Sequence, residues 1–251
     1  MISQAELKRL RALQQKKYRV ESKRFLVQGR KVVAELLGSR FRTETILASE
    51  EAAAFVRPLA GKIPVQILAS HELDKIGTFE KGNELIAIAH EPEHLGFRAP
   101  AQGELMLALD GIRDPRNMGG LLRIADWFGI KRVLCSHECM EVYNPKCVQS
   151  TMGSLFRVEV RRADLATELG QARAAGAHVY IADMDGTPVF EATLQRPAIL
   201  VLGSESHGLS EASTALASTV VSIPRLGQAE SLNVAMAAAA LCTEFARQSP
   251  A

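Results

Sequence analysis

Three short runs in the second half of the chain hold the residues best suited to chemistry. The first is Asn117-Met118-Gly119-Gly120-Leu121-Leu122-Arg123. Its two glycines let another group approach the backbone closely, and the guanidinium fork of Arg123 suits phosphate or ribose oxygens. A tight turn and a surface ion pair would explain the same residues. The second run, Leu202-Gly203-Ser204-Glu205-Ser206-His207-Gly208-Leu209, sets one carboxylate in a turn bracketed by glycines. An exposed glutamate in an ordinary turn is the alternative there. The third run joins Ile223-Pro224 to Glu230-Ser231-Leu232-Asn233-Val234. Ser231 suits a helix N-cap, and that role alone accounts for it. Asn233 is harder to explain, because Asn competes with the helical backbone ladder.

These runs need strands and helices to hold them. From Leu105 the pattern predicts strands at 105–109, 132–135, 178–182, 198–202 and 220–223. Helices are expected at 120–128, 164–175 and 232–246, with Gly129 and Gly176 placed to end the first two. Short apolar strands alternating with helices imply a mostly parallel sheet covered on both faces. The first run then follows a strand, with Asn117 in the loop and Arg123 one turn into the helix. The second lies beyond the carboxyl end of a strand, where open α/β sheets bind ligands. The Ala-rich helix after Asn233 would permit a close helix approach, as in a tight subunit interface.

The first half reads as a separate, smaller α/β unit. Leu7, Leu10 and Leu13 set a helical period over 5–15. Strands are expected at 25–27, 45–48, 65–68 and 85–89, and helices at 30–37, 50–56 and 71–76. Residues 91–103 carry Pro92, Gly96, Pro100 and Gly103 without periodicity and read as a linker.

A chain of 251 residues allows one large or two ordinary domains. No apolar run approaches the ~20 residues of a membrane span, and the N-terminal stretch has no secretion core. Four cysteines in a chain of this size suggest reduced thiols in the cytosol. The net charge of +2 says little, but its distribution says more. Ten Lys and Arg residues between Lys8 and Lys31 face only Glu21, enough to track a phosphate backbone or simply to solvate a helix face.

Order, spacing and content of the three runs resemble the motifs of the SpoU (TrmH) family of RNA ribose methyltransferases. Tyr143-Asn144-Pro145-Lys146 and Thr151-Met152-Gly153-Ser154-Leu155-Phe156-Arg157 match the same family. A weaker resemblance, carried by Leu13 to Arg19 and by Phe25-Leu26-Val27-Gln28-Gly29, links the first half to the substrate-binding domain often fused to it. The resemblance implies an RNA-binding domain over 1–95, similar to certain ribosomal proteins, a linker over 96–104 and a catalytic domain over 105–251. It further implies the knotted (trefoil) α/β fold of the SPOUT superfamily, a homodimer through the catalytic domain and S-adenosylmethionine as cofactor. Cofactor contacts would come from Thr151, Gly153, Leu202, Gly203, Ile223, Ser231 and Leu232. The catalytic set would be Asn117, Arg123, Glu205, Ser231 and Asn233, with Lys16, Lys17, Arg19, Arg30 and Arg123 toward RNA.

The chemistry implied is methylation of a ribose 2′-hydroxyl in structured RNA, ribosomal RNA ahead of transfer RNA. Methyl transfer from a sulfonium needs no metal; it needs an aligned hydroxyl and help with its proton. A guanidinium normally stays protonated, so Arg123 is read as a phosphate clamp and stabiliser of the developing alkoxide. The second run departs from the family pattern at Ser204, where Asn is usual, and at Ser206, where Gly is usual; Gln28 replaces a usual Glu. These changes bear on substrate choice.

Other signals carry less. His90-Glu91-Pro92-Glu93-His94 fits H-E-x-x-H, but Pro92 forbids the helix that zinc chemistry requires. Cys135, His137 and Cys139 lack a second close pair of ligands. Trp127 is expected in the core or an interface. Two rival classes stand: a non-catalytic RNA-binding or ribosome-assembly protein, and a nucleotide enzyme of ordinary Rossmann type, which lacks its G-x-G-x-x-G.

Overall fold

In the computed structural model, residues 2–80, 82–93, 96–204 and 207–248 are described. Contacts divide the chain into two compact units, Met1–Glu93 with Glu141–Arg157, and His94–Met140 with Val158–Ala251. The segment Glu141–Arg157 thus packs with the first unit, although in sequence it falls inside the span expected for catalysis.

The first unit is built on a four-stranded sheet. Strands β1 (Arg24–Gln28), β2 (Thr43–Ala48), β3 (Val65–Ile67) and β4 (Leu85–His90) lie in the order β1-β4-β2-β3. Strand β4 runs antiparallel to both neighbours, and β2 runs parallel to β3. Helices α1 (Gln4–Ala12), α2 (Lys16–Ser22), α3 (Arg30–Leu37), α4 (Glu50–Ala60) and α5 (Ser70–Ile76) surround it. Leu7, Leu10 and Leu13 pack with Leu26, Leu47, Ile86 and Ile88, so the helical period read at the N-terminus is a core face. Helix α2 is not foreseen in the sequence, where its residues read only as a basic run. Helix α7 (Pro145–Ser150) and the 3₁₀ turn Ser154–Phe156 lie on this unit. The ring of Tyr143 sits 4.7 Å from that of Phe25, and Phe156 5.3 Å from Phe41.

The second unit holds a six-stranded, wholly parallel sheet. Its strands are β5 (Leu105–Asp110), β6 (Arg132–Cys135), β7 (Glu159–Arg162), β8 (His178–Pro188), β9 (Ala198–Gly203) and β10 (Thr219–Ser222), in the order β10-β8-β9-β5-β6-β7. Every residue of β5 is buried, as a central parallel strand covered on both faces requires. Helix α8 (Leu165–Ala174) packs Leu165, Leu169 and Ala172 against Met106, Ala108, Ile199 and Val201. Helix α6 (Pro115–Trp127) and helix α10 (Val234–Gln248) pack on each other, and the short α9 (Glu211–Thr214) precedes β10. Edge strand β7, Glu-Val-Arg-Arg, escapes the sequence pattern because its charges mask any apolar run, a common protection of an edge.

Two helix starts differ from expectation. Helix α6 begins at Pro115, five residues before Gly120, because Asp114 caps it by accepting the N–H groups of Arg116 and Asn117 at 2.8 and 3.0 Å. Proline at the first helical position is preorganised for that start. Helix α10 begins at Val234, with its N-cap at Asn233 and not at Ser231.

Candidate active site

The N-termini of α6 and α10 carry the first and third sequence runs. Asn117 lies in the first turn of α6, not in the preceding loop. The Oδ1 of Asn233 accepts the N–H groups of Ala235 at 3.0 Å and Met236 at 3.4 Å. Those bonds fix the orientation of its amide, and its Nδ2 donates to Oδ1 of Asn117 at 2.9 Å. A side-chain amide can cap a helix with its oxygen while its nitrogen donates to a carbonyl, so the residue that the sequence left unexplained has a physical account. The close approach rests on small residues as well: a Cβ on Gly120 would stand 3.3 Å from that of Ala235. Two helix N-termini side by side present partial positive charge, suited to an anion or a developing alkoxide.

Arg123 is exposed, but it does not sit one turn into α6. It is the ninth residue of the helix, about 12 Å along the axis at 1.5 Å per residue. Gly120, Arg123 and Trp127 follow one helical stripe, and Trp127 is 84% exposed, so it is no part of this chain's core.

The second run begins where β9 ends. Ser204 and Gly208 exchange backbone hydrogen bonds of 3.1 and 2.8 Å, and the Ser204 hydroxyl accepts the His207 N–H at 3.1 Å. Serine therefore supplies a side-chain acceptor where the family usually has Asn. A Cβ on Gly203 would stand 2.5 Å from the Gly208 backbone, so glycine is obligatory at this crossing. Glu205, the carboxylate of this run, and Ser206 lie outside the described residues. Beyond β10, Ile223 is half-buried, Ser231 is exposed and Leu232 is 49% exposed.

The loop from β5 to α6 is braced from behind. Gly111 N–H donates to Ser136 Oγ at 3.0 Å, and Ile112 N–H to Cys139 Sγ at 3.3 Å. Cys139 Sγ in turn lies 3.1 Å from Leu109 O. A hydrogen bond with the Cys135 side chain lowers Cys139 to about 7, against the opposing effect of burial. Cys139 thus has a bracing role that its spacing did not announce. Among the described residues, no three His, Cys, Asp or Glu side chains form a metal-ligand group. His90 closes strand β4, and His94 lies outside the described residues.

Within the first unit, Thr151 is fully buried and donates to Val148 O at 2.7 Å. Gly153, at φ +100°, opens the 3₁₀ turn, and a Cβ there would meet Glu35 at 2.7 Å. Of the basic residues, Lys16 and Lys17 are exposed, with Lys17 Nζ 5.9 Å from the Tyr18 ring. Arg19, expected toward RNA, is instead 1% exposed, pairs with Glu141 at 2.5 Å and donates to the carbonyls of Leu13 and Gln14, so its guanidinium is turned inward. Arg30 is partly exposed but engages Glu51 and Glu84 at 2.7 and 2.9 Å, and these hydrogen bonds raise its pKa.

Comparison with known proteins places this geometry. The model of the SpoU rRNA Methylase family matches residues 104–243, and that of the MRM3-like substrate binding domain matches residues 4–87. The chain is 30% identical over 237 residues to the 23S rRNA (guanosine(2553)-2′-O)-methyltransferase RlmP of Bacillus subtilis (strain 168), covering 94% of each chain. A TrmH-family protein structure from Porphyromonas gingivalis superposes with a TM-score of 0.90 at 37% identity, covering 99% of this chain and 100% of that one. The SpoU methyltransferase AviRb from Streptomyces viridochromogenes, in complex with the cofactor AdoMet, gives 0.89 at 29% identity, covering 98% of each.

Proposed function

Because this chain belongs to the SpoU rRNA Methylase family, we propose that it transfers a methyl group from S-adenosylmethionine to a ribose 2′-hydroxyl of structured RNA, ribosomal RNA ahead of transfer RNA. The choice of ribosomal RNA is supported by a relative named for that substrate that matches over both halves of the chain. The observation that carries the reading is the Asn233–Asn117 amide bond, which joins two family motifs 116 residues apart.

The residues fit the cofactor. An adenosine needs apolar faces and a few polar contacts, and half-buried Ile223, partly exposed Leu232, the Ser231 hydroxyl and the Leu202–Gly203 backbone offer them. Bound there, S-adenosylmethionine supplies an electrophilic methyl on a sulfonium. Asn117 and Asn233 hold one another's amides and align the ribose. Arg123, exposed along α6, clamps a phosphate and stabilises negative charge on the 2′-oxygen. Lys16 and Lys17 hold the RNA backbone from a domain spanning 1–95, joined through 96–104 to a catalytic domain of 105–251.

The same reading includes a trefoil-knotted path, a homodimer and a cytosolic location. The backbone crossing at Gly203 and the reach of Asn233 back to Asn117 support the first. Exposed Trp127 and Met236 on packed helices support the second. Four free cysteines support the third. No helix among the described residues is long and apolar enough to cross a membrane.

The test supplies labelled S-adenosylmethionine with unmodified 23S ribosomal RNA or transfer RNA to wild type and to the Asn117→Ala, Asn233→Ala and Glu205→Ala variants. Label in a 2′-O-methyl nucleoside of ribosomal RNA, lost in the variants, is the expected result. Label in transfer RNA alone would change the substrate class. RNA binding without transfer to either would favour the ribosome-assembly reading.

A further inference from the structure

Asp110 ends strand β5 directly beside Gly203, its partner in register at the end of β9. The residue is 7% exposed, and no cation neutralises it among the described residues. Instead, its Oδ2 accepts three neutral donors: Ser210 N–H at 2.9 Å, Ser210 Oγ at 2.7 Å and Ser213 Oγ at 2.8 Å. Ser213 is fully buried. A buried carboxylate is costly unless such bonds repay it. Capping α9 does not require it, because Ser210 Oγ already accepts the Ser213 N–H.

Its bonds close a loop instead. The chain leaves β9 at Gly203, crosses back over that glycine at Gly208 and Leu209, and reaches Asp110 at Ser210. Leu209 between them packs partly against the core. One end of the run is therefore held by the Ser204–Gly208 pair and the other by Asp110. In sequence, Glu205 lies between those anchors.

We propose that Asp110 is a positioning residue for methyl transfer: through Ser210 and Ser213 its carboxylate holds Gly208 and Leu209 across Gly203, and so fixes the presentation of the Leu202–Gly203 cofactor contacts. This inference rests on the reading of that loop as cofactor-binding and catalytic. It adds to the site a residue outside the three motif runs, acting only through Ser210 and Ser213. Asparagine at 110 would keep the size but lose the charge that strengthens the three bonds Oδ2 accepts.

The experiment compares wild type, Asp110→Asn, Ser213→Ala and the double variant, at a temperature where circular dichroism shows each folded. Amide hydrogen exchange is read at Ser204, Gly208 and Ser210, together with the KM for S-adenosylmethionine and kcat. We expect Asp110→Asn to speed exchange at Ser204 and Gly208 as well as Ser210 by about tenfold or more, the loss of a buried hydrogen bond. The KM should rise by a similar factor, about tenfold, with kcat less affected. The double variant should be little worse than Asp110→Asn, because both act through one anchor. Faster exchange confined to Ser210, or a lower melting temperature with KM and kcat unchanged, would overturn the proposal and leave Asp110 a structural residue. Exchange does not depend on the cofactor. If wild type bound no S-adenosylmethionine, the functional reading would fall while exchange still decided whether Asp110 holds the loop.

Discussion

At the scale of the residue, Asn233 does two jobs that can be separated. Asn233→Asp keeps an acceptor for the Ala235 and Met236 N–H groups, and a carboxylate at a helix start is favourable by about 0.3–1 kcal/mol. It can no longer donate to Asn117 Oδ1. Asn117 could restore a bond only by turning its amide over, which reverses the group it presents. We therefore expect thermal stability close to wild type and methyl transfer lowered by about 100-fold, the scale of a small misplacement. Near-normal transfer by the aspartate variant would remove the amide pair from the mechanism. A second residue gives a pH signature. The Glu91 side chain is 12% exposed, and burial raises its pKa, with a further push from Glu141 against the pull of Lys23 and Arg19. A carboxyl raised in the folded state contributes stability below its unfolded value, and that contribution is lost as pH rises through the folded value. Denaturant melts should show the stability of the first unit falling as pH climbs above the ordinary carboxylate range. Glu91→Gln should flatten that fall; an unchanged pH profile would assign it to other groups.

At the scale of the element, charge runs and helix starts show what was legible in the sequence and what was not. Lys16, Lys17 and Arg19 read as one basic run, yet on α2 the first two face solvent and the third is buried on Glu141. Their substitutions should behave oppositely. Lys16→Ala with Lys17→Ala should leave melting unchanged and reduce the salt dependence of RNA affinity by about 0.7–0.9 per lysine. Arg19→Ala should leave that slope alone and cost about 3–5 kcal/mol, because Glu141 is left buried without its partner. A lower salt slope in the Arg19 variant would return that residue to the RNA surface. A charge pattern shows no depth: Arg19 belongs inside only because Glu141, far along the chain, packs there. Periodicity did identify the apolar strands β5 and β9 and helix α3. It missed β7, whose residues are charged, and it started α6 late. The capping signal Asp114-Pro115 ends five residues ahead of Gly120, outside the apolar period that marks the helix in sequence. Conversely, Asn233 stood out as a poor helix former and is a cap, the position where that weakness becomes an advantage.

At the scale of the whole molecule, the chain leaves apolar surface that its own fold does not use. Trp127 on α6 is 84% exposed and Met236 on α10 is 67% exposed, while their helices pack together through Gly120 and Ala235. A tryptophan carries roughly 200 Å² of surface and is a frequent anchor of interfaces. Burying it against a second copy would recover about 25 cal/mol per Å², before the cost of association. The proposed homodimer gives this face an occupant, and the stripe that holds Trp127 also holds Arg123. Light scattering coupled to size-exclusion chromatography should find a dimer for wild type and a monomer for Trp127→Glu with Met236→Glu, both retaining the wild-type circular dichroism spectrum. Methyl transfer by the monomer then separates two roles for the face. Activity lost on dilution of wild type, in step with dissociation, would mean that Arg123 needs a neighbouring copy to meet its RNA. Full activity in a stable monomer would confine the reaction to one chain. A wild-type monomer at all concentrations would dismiss the homodimer and leave Trp127 beside Arg123 as surface for RNA bases, which stack on exposed aromatic rings.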